Sequence, residues 1–304
     1  MFNLKIKEMS TIVFALPGNE TLADNIRKQL GVEKGDAVVR HFPDDETFVR
    51  VDSDVKEKDV LLVCTLDHPD EKLLPLYFLS QTLKELGVRK ITLIAPYLAY
   101  MRQDKRFNSG EAITSELFAK LVSGFVDRIV TIDPHLHRRS SLEEIYTVSA
   151  TVLHAAPLIS EWIRNNIPHA LLVGPDIESE QWVSAVAKDA RAPFVVLKKI
   201  RHGDKDVEVS IPQIVEFKHY TPVLVDDIIS TARTMIETVG HLKMAGMRPP
   251  VCVGVHGIFA GDAFMELLRA GADRVVTTNS IIHASNRIEI AQVILKVLPN
   301  STIT

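Results

Sequence analysis

PVLVDDIISTARTMIETV, residues 222–239, decides how the rest of this chain is read. An apolar run, Val223 to Val225, leads into two acids, Asp226 and Asp227. A hydroxyl-rich turn with Ser230, Thr231 and Thr234 follows, and then a helical pattern begins. In an open α/β sheet, ligands gather at the carboxyl ends of the strands. A helix start adds unpaired N–H groups and the positive end of a dipole, both of which favour phosphate. Ser and Thr hydroxyls can add hydrogen bonds to it. The two acids suit a neighbouring diol such as a ribose, or a cation. The plainer alternative is a helix cap preceded by surface acids, although two ionised carboxylates at a strand end are costly without partners.

Similar runs recur on both sides of this stretch. TIVFAL (11–16), VLLVC (60–64), ITLIAPY (91–97), RIVTID (128–133), ALLVG (170–174), FVVLKK (194–199), VCVGVH (251–256) and RVVTTN (274–279) are short, β-branched and apolar on both faces. That is the pattern of buried parallel strands. Helical stretches lie between many of them: KLLPLYFLSQTLKELG (72–87) stops at Gly87, and TSELFAKLVSG (114–124) opens on Thr-Ser. Strand–helix alternation of this kind predicts an α/β fold with mainly parallel sheets.

The chain also resembles itself. DRIVTIDPHLH (127–137) parallels DRVVTTNSIIH (273–283), ITLIAPY (91–97) parallels VCVGVHG (251–257), and VLLVCTLDHP (60–69) parallels PVLVDDIIST (222–231). Three matches in one order favour a duplicated domain over chance likeness of βαβ units. The expected domains are 10–152 and 153–287, with 288–304 able to pack back on the first.

Composition bounds the function classes. The chain has 304 residues, 46% hydrophobic and 24% charged, which suits a globular protein with a full core and excludes a disordered one. Net charge −4 excludes a globally basic nucleic-acid binder. Cys64 and Cys252 are the only cysteines, which fits a reducing compartment and leaves no Cys cluster for zinc. No apolar run is long enough to span a membrane. The early lysines and the short run before Pro17-Gly18 read as a first strand rather than a signal peptide, so a cytoplasmic protein is expected, with neither nucleic acid nor membrane as partner.

Several other segments could carry chemistry. Arg102, Lys105 and Arg106 gather three cations in one loop, which suits a triphosphate or a solvated turn. Asp44, Asp45 and Glu46 form an acidic turn after Phe42, a residue read more readily as core than as a base-stacking ring. His135 and His137 follow a strand beside Asp133, without a third strong ligand nearby. Asp176 ends the ALLVG strand, where a metal or ribose contact is sensible. Lys199 and Arg201 precede the polar turn His202-Gly203-Asp204 and could close over a transferring phosphoryl group, or form a charged hairpin. No GxxxxGK[ST] pattern occurs, so a P-loop is excluded.

Taken in order, these segments resemble the ribose-phosphate diphosphokinases, also called phosphoribosyl-pyrophosphate (PRPP) synthetases. The 226–234 segment resembles the PRPP loop that this family shares with type I phosphoribosyltransferases. HFPDDETFVRV (41–51), APYLAYMRQDKRFNSGEAIT (95–114), IVTIDPHLHR (129–138), VGPDIES (173–179), LKKIRHGDKDVEV (197–209) and HGIFAGDA (256–263) resemble further segments of the diphosphokinases alone. The likeness runs from about residue 12 to 295. It implies two phosphoribosyltransferase-like domains related by duplication, and transfer of a diphosphoryl group from ATP to ribose 5-phosphate, giving PRPP and AMP for nucleotide biosynthesis. It assigns ATP to Arg102, Gln103 and Asp104, together with Asp44, Asp45 and Glu46 supplied by a neighbouring subunit of a homo-oligomer. Ribose 5-phosphate falls to Arg201, Asp226, Asp227, Ser230, Thr231, Ala232, Arg233 and Thr234. Catalysis falls to Lys199 and Arg201, and Mg²⁺ to His135 and Asp176. A phosphoribosyltransferase or a non-catalytic regulatory homologue are the alternatives. The sequence departs from the family at Asp45, where glycine is frequent, at Ser230, where one branch has Asp, and at Ala232-Arg233, which replace glycines. The stretch near 199–209 is also shorter than the long loop of the phosphate-activated branch.

Overall fold

A computed structural model describes residues 10–298 except 137, 176–178, 203–205 and 211–213; of 181, 198–202, 206–210, 214 and 215 it describes the backbone alone. His137 and Asp176 therefore lie outside the described residues. The chain divides into two compact units, with boundaries at Leu153/His154 and Ile290/Ala291; the segment from Ala291 belongs to the first unit.

The first unit is built on a six-stranded parallel sheet. Its strands are β1 (Thr11–Ala15), β2 (Glu33–Lys34), β5 (Asp59–Val63), β6 (Lys90–Ala95), β7 (Arg128–Ile132) and β8 (Ser149–Leu153). They lie in the order β2-β1-β5-β6-β7-β8, every pair parallel. An antiparallel hairpin, β3 (Ala37–His41) and β4 (Thr47–Val51), leaves the chain between β2 and β5. The helices are α1 (Glu20–Leu30), α2 (Pro69–Glu85) and α3 (Thr114–Ser123), with α8 (Ala291–Leu295) added from the end of the chain. Phe14, Leu62, Leu79, Leu83, Leu93 and Phe125 are buried at its core. Arg128 ties the late segment in, donating to the Val297 carbonyl (3.2 Å).

The second unit repeats the plan. β9 (Ala170–Gly174), β10 (Phe194–Val196), β13 (Thr221–Ile229), β14 (Val251–Gly257), β15 (Arg274–Thr278) and β16 (Asn286–Ile288) run in the order β10-β9-β13-β14-β15-β16, again all parallel. Here too a hairpin, β11 (Lys198–His202) and β12 (Asp206–Ser210), leaves the chain between the edge strand and the third strand. α4 (Ala156–Asn166), α5 (Glu180–Ala190), α6 (Arg233–Met244) and α7 (Ala263–Ala270) complete the unit. Leu171, Val173, Leu224, Val239, Leu242 and Leu267 form its core.

Two local readings change. FVVLKK is not one strand: β10 stops at Val196, the Leu197 N–H bonds the Gly174 carbonyl (2.9 Å), and Lys198 starts the hairpin. Phe42 is not core but 40% exposed: it sits on the two-stranded hairpin, where Phe48 (5.7 Å, edge to face) and the Arg40 guanidinium (4.9 Å) lie against its ring.

Candidate active site

The 226–234 segment folds as strand, turn and helix, with one displacement. β13 does not end at the two acids; it continues to Ile229, because β14 keeps pairing with it through Ile228↔His256 and Ile229↔Gly257. Asp226 and Asp227 are half-buried within the strand. The Asp227 N–H donates to Asp226 Oδ1 (2.9 Å) and the Ile228 N–H to Asp227 Oδ1 (2.8 Å). Each carboxylate thus takes a backbone donor that offsets part of its desolvation. Ser230 is half-buried and Thr231 exposed. Ala232 is buried and left-handed, with φ 56° and ψ 8°, and α6 starts at Arg233 without a side-chain cap. Thr234, half-buried, occupies the second position of that helix. The first turn of α6 therefore presents N–H groups and a positive dipole end beside three hydroxyls, a chemistry suited to a phosphate monoester.

Lys199 and Arg201 lie on β11, opposite Val209 and Val207 of β12. The hairpin places both in one short ladder of the unit that carries the 230–234 turn.

In the first unit, Asp44, Asp45 and Glu46 form the turn between β3 and β4. The Phe42 N–H donates to the Glu46 carbonyl (2.8 Å) and the Asp45 N–H to the Phe42 carbonyl (3.0 Å). Asp45 adopts φ 65°, so the turn keeps the left-handed residue that glycine would supply, and Asp is among the few L-residues that enter this region readily. Arg102 is exposed and Gln103 half-buried in the loop between β6 and α3. Thr114 Oγ1 donates to Gln103 Oε1 (3.2 Å). Asp104 turns inward: its side chain is 4% exposed and accepts a hydrogen bond from Arg138 Nη1 (2.8 Å). Arg138 lies three residues after His135, so this ion pair ties the loop between β6 and α3 to the His135 loop. Sequence reading passed over Arg138; the basic pair Arg138-Arg139 after IDPHLH was the available signal. His135 is half-buried. Among the described residues, no group of three His, Cys, Asp or Glu could by itself hold a metal. Cys64 and Cys252 are fully buried, and desolvation pushes both thiols up, so neither serves as a nucleophile.

Residues 11–125 match the family described as the N-terminal domain of ribose phosphate pyrophosphokinase, and 141–292 match the phosphoribosyl transferase domain. The ribose-phosphate pyrophosphokinase of Methanobrevibacter smithii is 30% identical over 292 residues, covering 92% of this chain and 97% of that protein. The chain belongs to the ribose-phosphate pyrophosphokinase family. Another family member, from Methanothermobacter thermautotrophicus, is 30% identical over 94% of this chain and 99% of its own length. The crystal structure of phosphoribosylpyrophosphate synthetase from Mycobacterium smegmatis superposes with a TM-score of 0.82 at 25% identity, covering 94% of this chain and 97% of that one. The family model matched by residues 11–125, like these relatives, is named for the pyrophosphokinase and not for a phosphoribosyltransferase.

Proposed function

We propose that the chain transfers the β,γ-diphosphoryl group of ATP to the 1-hydroxyl of ribose 5-phosphate, releasing AMP and PRPP for nucleotide biosynthesis. The observation that carries the reading is the Ser230–Thr234 turn, held at the uncapped start of α6 with two braced carboxylates just upstream on β13. The 5-phosphate takes the N–H groups and the hydroxyls of Ser230, Thr231 and Thr234. Asp226 and Asp227 accept from the ribose hydroxyls and fix the ring. Arg102 and Gln103 bind ATP, while Asp104 braces their loop through Arg138. The oxygen of the ribose 1-hydroxyl then attacks the β-phosphorus and gives its proton up to water, the bond from the β-phosphorus to the α-phosphate oxygen breaks, and AMP leaves with that oxygen. Lys199 and Arg201 offset the charge that develops on the transferred group.

Mg²⁺ fits such a site as a substrate-borne ion. It takes few protein ligands and relies on phosphate oxygens and water. His135 and Asp176 would hold it, and it would supply neutralisation of phosphate charge. The partner is a second copy of the chain, whose hairpin turn Asp44–Glu46 completes the ATP site. Leu74 and Phe78 on α2 and Leu117 and Leu121 on α3 are exposed apolar side chains of the kind an assembly would bury. No helix among the described residues is long and apolar enough to cross a membrane.

The test of the reaction is product identity: Mg-ATP with ribose 5-phosphate should give AMP and PRPP in equal amounts. ADP as the sole nucleotide product would sink the assignment. The shared site is tested by mixing inactive Glu46→Ala and Lys199→Ala proteins. Mixed dimers regain activity if the site spans subunits, because one site then carries neither change. No recovery, with mixed dimers captured by two tags, would place a whole site in each subunit.

A further inference from the structure

The HGIFAGDA segment (256–263) has no role in the site as described, yet its backbone is fastened to the phosphate turn. The Ile258 and Phe259 N–H groups both donate to the Ile229 carbonyl (3.0 Å each), and the Ala260 N–H donates to the Ser230 carbonyl (3.1 Å). These two carbonyls belong to the successive peptide units Ile229–Ser230 and Ser230–Thr231. In a trans peptide the C=O and N–H point in opposite directions, and the described chain has no cis bond. Holding both carbonyls toward residues 258–260 therefore turns the Ser230 and Thr231 N–H groups the other way, as a pair.

The clasp depends on an unusual residue. Phe259 has φ 47°, a left-handed backbone that a Cβ disfavours, so something must hold it there. The residue is 8% exposed, and its ring packs against His283 (4.4 Å between centroids) and Phe264 (5.3 Å). Burial lowers the His283 pKa, which suits a neutral ring in that stack. Two glycines of β14 make the room. A Cβ on Gly257 would lie 2.5 Å from the Phe259 ring, and one on Gly254 would lie 2.7 Å from the Ile229 side chain.

Resting on the functional reading above, we propose that Phe259 is a positioning residue for ribose 5-phosphate: its ring, anchored between His283 and Phe264, holds the 258–260 backbone that orients the Ser230 and Thr231 peptide planes toward the 5-phosphate. Phe259 itself touches no substrate. Its effect falls on one substrate, because the clasp reaches the 230–234 turn and no residue assigned to ATP.

The test compares wild type, Phe259→Gly, Phe259→Tyr and His283→Ala, well below their thermal midpoints. It reads KM for each substrate and the Kd for ribose 5-phosphate by calorimetry. Phe259→Gly keeps a backbone that tolerates the left-handed region but removes the anchor. It should raise KM and Kd for ribose 5-phosphate about tenfold or more, with KM for ATP changed by about twofold at most. Phe259→Tyr keeps the ring and should restore wild-type values, while His283→Ala should fall between. An equal rise for both substrates, or no rise in a folded variant, would overturn the proposal. If Phe259→Gly does not fold, His283→Ala decides by the same criterion. Wild-type protein that neither binds ribose 5-phosphate nor makes AMP would instead overturn the functional reading, so the two failures are distinct.

Discussion

The turn after β5 and the turn after β13 occupy the same place in two sheets of the same strand order. Both enter their helices through a left-handed residue without a side-chain cap, His68 (φ 49°) before α2 and Ala232 (φ 56°) before α6. Their chemistry is opposite. In the first unit the turn is closed by the protein itself. Lys72 Nζ donates to the Thr65 carbonyl (3.1 Å) and to the Asp67 carboxylate, and Asn19 Oδ1 accepts from the Thr65 N–H (2.8 Å). An internal ammonium and an internal carboxamide there satisfy the groups that an outside ligand would otherwise meet. In the second unit Thr231 is exposed, and Ser230 and Thr234 are half-buried at the helix start. One architecture can thus be sealed or left receptive by the few side chains that complete its turn.

The two hairpins should differ more strongly than the two turns. Each unit carries one at the same point in the chain, but the reading places transition-state contacts only on β11. Lys199→Ala should lower kcat for AMP formation by about 10²-fold or more, with KM values moved by less than about threefold. An unchanged kcat would make β11–β12 a charged hairpin with no part in the chemistry.

A matched pair of substitutions separates the two turns. Thr231→Val keeps the side-chain shape and removes the hydroxyl. It should weaken ribose 5-phosphate binding by about 1–2 kcal/mol, with ATP affinity preserved and little change in folding stability. Thr65→Val at the corresponding turn should do the reverse. Thr65 Oγ1 accepts from the buried Tyr97 N–H (3.3 Å), so its loss should cost about 1–2 kcal/mol of stability and leave ribose 5-phosphate affinity unchanged. Calorimetric binding and thermal melts of both proteins read the two effects. A loss of ribose 5-phosphate affinity from Thr65→Val would mean that the sealed turn is not sealed.

What the sequence disclosed follows the same physics. The strands at 60–64, 91–97 and 128–133 were legible because strands buried on both faces carry continuous β-branched runs. The repeat was legible because those runs return in order. The β3–β4 hairpin was not read as strands, since a two-stranded ribbon with little burial shows no such run; RHFPDDETF is polar, and even Phe42 is exposed. The 226–234 segment was recognisable from its acids and hydroxyls, but the end of β13 was not, because pairing with β14 carries the strand past the two charges. The inward turn of Asp104 depends on Arg138, 34 residues later, and no local pattern encodes that distance. Asp45 and Ala232 hid their left-handed backbones, because no glycine marks them.

Ala232 and His68 supply the finest test of the two turns. A left-handed backbone costs an L-residue about 1 kcal/mol or slightly more, and glycine removes that cost. His68 is exposed, so His68→Gly should simply relieve the strain and stabilise the protein by about 1 kcal/mol. Ala232 differs in that it is 7% exposed and belongs to the core cluster that includes Met235 and Val239. Removing a buried methyl costs about 0.8 kcal/mol in lost burial. The two terms nearly cancel, so Ala232→Gly should leave the melting transition close to wild type. Comparing the two melts isolates the buried methyl, because both changes remove the same kind of backbone strain. Equal stabilisation by both would show that the Ala232 methyl contributes nothing to packing. The absence of a glycine before α6 would then need a reason outside the fold.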